Sequence, residues 1–169
     1  MSRGLGDVYK RQKVRHVLRG GETRSHSVLA GLHACAEDIE FVAIHDGARP
    51  LISQELIVQT LTAAFADGAA APVVPVKDSV KRVEDGKIVS DVPRDSIAAV
   101  QTPQVFYRNQ IADALHEAIA DGAVLTDDCA AVERIDVSVT AVPGEYRNLK
   151  ITTPEDIVIA ELFSAQEDI

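Results

Sequence analysis

The chain has 169 residues, 46% of them hydrophobic and 25% charged, which bounds it to about one ordinary globular domain. Its net charge of −9 excludes a non-specific nucleic-acid binder, which needs basic stripes, though not a local basic pocket for phosphates. No apolar run approaches the roughly 20 residues of a membrane span, and no apolar segment marks a signal peptide. Cys35 and Cys129 fall in apolar helical patterns and lack the histidine spacing of a zinc site. They read as free thiols of a cytoplasmic protein.

Residues 1–12, MSRGLGDVYKRQ, show no periodicity and no helix cap. They read as a non-native or disordered leader and are set aside from the fold. The domain is expected over residues 13–169, opening inside a strand over 14–18. Gly20-Gly21-Glu22 then leads into a helix, with Ser25 and Ser27 as candidate caps and Val28, Leu29, Leu32 and Ala36 as its apolar face. A glycine pair feeding a helix N-terminus suits an anion, and it suits a plain turn equally.

Residues 39–44 form an apolar, β-branched run expected to be a buried strand. The run passes directly into His45, Asp46, Gly47 and Arg49, and Pro50 stops it. Ligands of open α/β sheets sit beyond the carboxyl ends of strands, so this is a candidate active-site floor. An ion pair between Asp46 and Arg49 that merely finishes a strand explains the same residues.

Ser53 predicts a helix N-cap, with Leu56, Ile57, Leu61, Ala64 and Phe65 buried and Asp67-Gly68 at the end. Residues 69–76 predict a second central strand ending in Lys77-Asp78-Ser79. Asp85-Gly86 between short apolar segments predicts a hairpin arm over 78–94. Its exposed apolar residues suggest a subunit contact; a solvated hairpin is the plainer alternative. Residues 98–106 read as a strand broken by Pro103, hence an edge or a bend. A helix is expected over 108–121, and a short one over 129–134 with Thr126 as its cap. A strand over 137–142 follows. Thr153-Pro154-Glu155-Asp156 then opens a last helix.

Seven segments, in order, resemble the 2-C-methyl-D-erythritol 4-phosphate cytidylyltransferase family. They are GGETRSHSVLAG (20–31), HDGARP (45–50), PVKDSVKRV (75–83), PRD (93–95), QTPQVF (101–106), TDDCAAVE (126–133) and NLKITTPEDIVIA (148–160). The ribitol 5-phosphate cytidylyltransferases share much of this skeleton. The resemblance implies a three-layer α/β/α fold with a mainly parallel twisted sheet, plus the projecting arm. It implies cytidylyl transfer from CTP to methylerythritol phosphate with release of pyrophosphate, assisted by Mg²⁺.

By the same resemblance Gly21, Glu22, Ser27, Gly47 and Lys150 would face the nucleotide. Asp46, Arg49, Ser79, Thr102 and Thr126 would face the acceptor, with Asp46 also near the metal. Lys150, Asp46 and Arg94 would be catalytic, Arg94 reaching across a homodimer formed through the arm. The family's opening strand and glycine-rich triphosphate loop have no counterpart before Gly20. The chain is therefore expected to be inactive alone, and a non-catalytic dimerising module is the second reading. The expected partners are small molecules, with no nucleic acid and no membrane.

Overall fold

The computed structural model describes residues 13–165. The expected leader lies outside the described residues. The fold is α/β, with helices on both faces of a mixed sheet. Residues 14–20 adopt no regular structure and join no ladder, so the strand expected over 14–18 is not formed. Val17 is 87% exposed there, and a strand without a partner leaves its backbone groups to water.

Helix α1 spans Arg24–His33. Its cap is Thr23, whose hydroxyl accepts from the His26 amide, and not Ser25 or Ser27. Strand β1, Phe41–Ile44, follows, then helix α2, Gln54–Asp67, capped by Ser53 as the sequence predicts and closed by Gly68 at φ 93°. Leu56, Thr60 and Ala64 are the buried residues of α2, whereas Phe65 is 59% exposed and rests edge-on against Phe41. Strand β2 is Ala69–Pro75.

Strands β3 (Val80–Glu84) and β4 (Lys87–Val92) make the expected hairpin as a separate two-stranded sheet. Asp85 (φ 48°) and Gly86 (φ 74°) supply the two left-handed residues that a tight hairpin turn requires. A single 3-10 turn at Arg94–Ser96 leads to β5 (Ala98–Val100) and β6 (Gln104–Tyr107). Helices α3 (Arg108–Ala120) and α4 (Cys129–Glu133), strand β7 (Thr140–Pro143) and helix α5 (Pro154–Ala165) complete the order.

β6 lies between β1 and β2 and is antiparallel to both, while β7 pairs with β2 in parallel. β1, β2 and β7 therefore point one way, and β6 runs against them. The α/β fold expected from the resemblance is the one observed. Its sheet is mixed and not mainly parallel, because the chain returning from the arm inserts a reversed strand between β1 and β2. β5 and β6 follow the same side of β2, opposite β7, but out of step. Ala70 pairs with Val105, whereas Val73 pairs with Val100, two residues out of line with a continuous ladder. The extra residues sit at Gln101–Pro103, where the Thr102–Pro103 peptide is cis and Gln101 N–H still reaches Pro72 O at 2.7 Å. The bend predicted from Pro103 is thus a bulge inside one interrupted strand.

Alternation along the strands divides the core. Ala69, Ala71 and Phe106 face α1, α3 and α4 together with Leu29, Leu32, Ile111, Leu115 and Val132. Ala70, Val105 and Val142 face Ala64 of α2 on the other side. Small residues at 69–71 let helices approach both faces of the central strand closely. Because β1, β2 and β7 share one direction, their carboxyl ends gather on one edge of the sheet, and the Gln101–Pro103 bulge opens onto that edge.

Candidate active site at the strand ends

Beyond β1 the chain turns at once, Arg49 N–H donating to Asp46 O at 3.0 Å. The turn is held to the segment after β7: Ile151 N–H donates to Ala48 O at 2.8 Å, and Arg49 Nη1 donates to Asn148 O at 2.7 Å. This brings three charged side chains together. Asp46 Oδ2 lies 3.2 Å from Lys150 Nζ and 3.3 Å from Arg49 Nε. Burial works against the Asp46 charge, but the Lys150 ammonium and Arg49 guanidinium outweigh it and hold the carboxyl below its ordinary value. Lys150 remains 44% exposed and Arg49 11%, so one cation of the three-residue group faces solvent and the other anchors it.

Thr102, only 4% exposed, sits under this turn. Its hydroxyl accepts from Asp46 N–H at 3.1 Å and lies 2.9 Å from His45 Nδ1. Behind it Asn148 is fully buried and donates through Nδ2 to Thr102 O at 2.8 Å and to Gln101 Oε1 at 3.3 Å. Gln101 Nε2 donates in turn to Glu145 O at 2.8 Å. Gln101 and Asn148 therefore weld the bulge to the 145–150 turn that carries Lys150. Nothing in the local sequence marks these two amides, because their partners lie more than 40 residues away.

A second cluster holds the glycine loop. Ser27 Oγ accepts from Gly21 N–H at 3.0 Å and donates to Thr23 O at 3.0 Å, closing the loop on the first turn of α1. A Cβ at Gly21 would collide with His26 Cβ, so the close approach requires glycine. Arg24, from the same turn, makes a bidentate pair with Asp128, at 2.7 and 2.6 Å. Asp128 is fully buried, and the hydrogen bond to it raises the already high Arg24 pKa. Gln104 Oε1 accepts from Asp128 N–H and Cys129 N–H, and Asp127 Oδ1 accepts from Ala130 N–H. The cap of α4 is thus built by Gln104 and Asp127, not by Thr126. Arg24, Gln104 and Asp127-Asp128 were missed as a unit by sequence reasoning; the only available sign was two acids before a helix.

The remaining expected residues are dispersed. Thr126 is exposed and lines a cavity of about 300 Å³ with Val73, Val100 and Cys129. Burial in that region pushes the Cys129 thiol well up. Ser79 and Glu22 are exposed on their loops, and Gly47 lies in the turn beside Asp46. Arg94 Nη1 donates to Lys77 O of its own chain at 2.9 Å, at the base of the arm, while the Lys77 ammonium rests 3.8 Å over the Tyr146 ring. A larger cavity, about 880 Å³, lies elsewhere, beside β1 and lined by Leu18, Cys35, Ile39 and Val42.

A three-layer α/β fold with a carboxylate and two cations at its strand ends has the build of a nucleotidyltransferase-like protein, in which charge neutralisation around phosphate is the task. The model of the 2-C-methyl-D-erythritol 4-phosphate cytidylyltransferase family matches residues 5–166, and the chain belongs to that family. A relative of that name from Caldanaerobacter subterraneus subsp. tengcongensis is 47% identical over 148 residues, covering 87% of this chain and 65% of that protein. One from Syntrophus aciditrophicus is 41% identical over 161 residues, covering 95% of this chain and 69% of that protein. The chain thus spans about two thirds of the length of the curated relatives it matches.

Among solved structures, the enzyme of that name from Thermus thermophilus superposes with a TM-score of 0.80 at 38% identity, covering 88% of this chain and 72% of that one. The 4-diphosphocytidyl-2C-methyl-D-erythritol synthase from Anaerococcus prevotii gives 0.81 at 36% identity, covering 86% and 66%.

Proposed function

We propose that this chain carries the acceptor side of a cytidylyl-transfer site, working on CTP and 2-C-methyl-D-erythritol 4-phosphate with release of pyrophosphate. The observation that carries the reading is the Asp46–Arg49–Lys150 group at the sheet edge. The acceptor in such a reaction is an ionised phosphate oxygen, which needs no strong base. It needs alignment with the α-phosphorus and relief of negative charge. Lys150, the more exposed cation, is the residue proposed to meet phosphate. Arg49, tied to Asn148 O, is placed to keep Asp46 aimed. Asp46 suits a polyol hydroxyl, for which a carboxylate is a strong acceptor. The Gly21 loop, tightened by Ser27, with Glu22 and Gly47, is proposed for the nucleoside, and Ser79, Thr126 and Arg94 for the rim of the acceptor pocket.

Mg²⁺ fits in one mode. Among the described residues no cluster of three or more acidic, histidine or cysteine side chains could cage a metal, but Asp46 Oδ1 is outside the ion pairs made by Oδ2. A single carboxylate suits an ion completed by water and substrate phosphates. When bound there the ion would spread the charge of the transferring phosphate. A homodimer through the 78–94 arm fits the exposed Val83, Ile88 and Val89. A cytoplasmic setting fits the free Cys35 and Cys129.

The test is pyrophosphate release from CTP on addition of methylerythritol phosphate, with calorimetry of each ligand on the same chain. Binding of methylerythritol phosphate supports the acceptor assignment. Preference for ribitol 5-phosphate would replace it. Acceptor binding without turnover or CTP affinity would favour the non-catalytic module.

A further inference from the structure

The cations of this chain differ in what holds them. Arg24, Arg49, Lys81, Arg134 and Lys150 each pair with a carboxylate. Lys77 does not, although Asp78 follows it in sequence: among the described residues no carboxylate pairs with its ammonium. The ammonium rests instead 3.8 Å from the centroid of the Tyr146 ring. The ring attracts a cation through its quadrupole but carries no charge, so the ammonium is ordered without being neutralised. Lys77 therefore keeps its full positive charge in a chain whose net charge is −9.

Its place is the sheet edge that carries the Asp46 group, just beyond the carboxyl end of β2. Tyr146 belongs to the turn that brings in Lys150, and that turn is fastened across the end of β2. Gly144 N–H donates to Val73 O at 2.8 Å, and the Tyr146 hydroxyl donates to Pro75 O at 2.9 Å. The Lys77 carbonyl accepts from Arg94 Nη1 at 2.9 Å, and Ser79 follows closely in the chain; both are proposed above for the rim of the acceptor pocket.

We infer that Lys77 is a further phosphate-binding residue of this site, its ammonium held ready on Tyr146 until a phosphate group takes it. This rests on the acceptor-side reading above. The ring is 45% exposed, and a cation–π contact in water is weak beside a charge-assisted hydrogen bond to phosphate, so the ammonium can leave the ring for the ligand. The acceptor phosphate and the released pyrophosphate offer this same chemistry.

The test uses the full chain labelled with ¹³C at the lysine Cε, titrated with methylerythritol phosphate and, separately, with inorganic pyrophosphate. In the free chain the Lys77 Cε protons are expected upfield of those of the other lysines, shifted by the Tyr146 ring. Tyr146→Leu should return them to the ordinary position, and Tyr146→Phe should not. Saturation with a phosphate ligand should move them off the ring in the unaltered chain. In calorimetry Lys77→Met should weaken binding of that ligand about tenfold, and Lys77→Arg less than about threefold. Lys81→Met, which alters a lysine already paired with Asp91, should leave binding unchanged. A loss confined to methylerythritol phosphate places Lys77 on the acceptor phosphate, and one confined to pyrophosphate places it on the leaving group. A Lys77 signal that neither ligand moves, unchanged binding of both by Lys77→Met, or an equal loss in Lys81→Met overturns the inference. If methylerythritol phosphate fails to bind while pyrophosphate moves the Lys77 signal, the acceptor reading fails alone and the phosphate contact stands.

Discussion

Asp46 is half-buried between two cations, and its depressed pKa has a definite consequence for pH. The unfolded chain binds the proton more tightly than the folded one. The stabilisation from this group is therefore complete above the unfolded value near 3.8 and is lost as pH falls through the lower folded value. Lys150→Ala removes the stronger of the two cationic influences and leaves the burial. The Asp46 carboxyl, followed by ¹³C titration, is expected to move up towards its ordinary value, and acid unfolding to begin at higher pH. In calorimetry the same change should weaken binding of methylerythritol phosphate by about tenfold or more, the scale of one lost hydrogen bond to a charged group. An unmoved carboxyl would show that Lys150 does not share this site in solution.

At the scale of elements, Ser53 joins local and long-range order. Its hydroxyl accepts from Leu56 N–H at 3.0 Å, the cap that the sequence predicts, and donates to Glu145 Oε1 at 2.6 Å, which it does not. Ser53→Ala should cost about 1–2 kcal/mol, the loss of a cap plus a partly buried hydrogen bond. That corresponds to a fall in Tm of roughly 2–8 °C for a domain of this size, measurable by calorimetry. The contrast between its two bonds shows what the chain makes legible. Ser53, the Asp85-Gly86 turn and the strand stop at Asp46 and Arg49 are encoded within a few neighbouring residues, and local pattern finds each of them. Thr23, Gln104 and Asn148 act on partners chosen by the fold. Local pattern assigns the caps of α1 and α4 to the wrong hydroxyls and passes over Asn148 altogether. The reversed strand β6 is invisible for a similar reason: alternation marks a strand but not its direction.

For the whole molecule the arm is the proposed contact between two copies of the chain. Among the described residues β3 and β4 pair only with each other, and a lone two-stranded hairpin is marginal in water. Val83 and Ile88 are partners across the ladder, so their side chains project from one face, 59% and 71% exposed. The adjacent Lys81–Asp91 ion pair, at 2.5 Å, is also exposed and contributes little to holding the ribbon. Contact with a second copy, related by a two-fold axis, would cover the apolar face and explain why so slight an element persists. Arg94, at the base of the arm and donating to Lys77 O, is the residue proposed to reach the other copy's site across such a contact. Sedimentation should then give twice the monomer mass for the unaltered chain. The double change Val83→Asp, Ile88→Asp should give a monomer with an unchanged far-ultraviolet spectrum, because neither residue belongs to the core. Arg94→Ala should leave the dimer intact and weaken acceptor binding if its guanidinium turns from Lys77 to the neighbouring site. A monomeric unaltered chain would remove the arm, and Arg94 with it, from the account of the site.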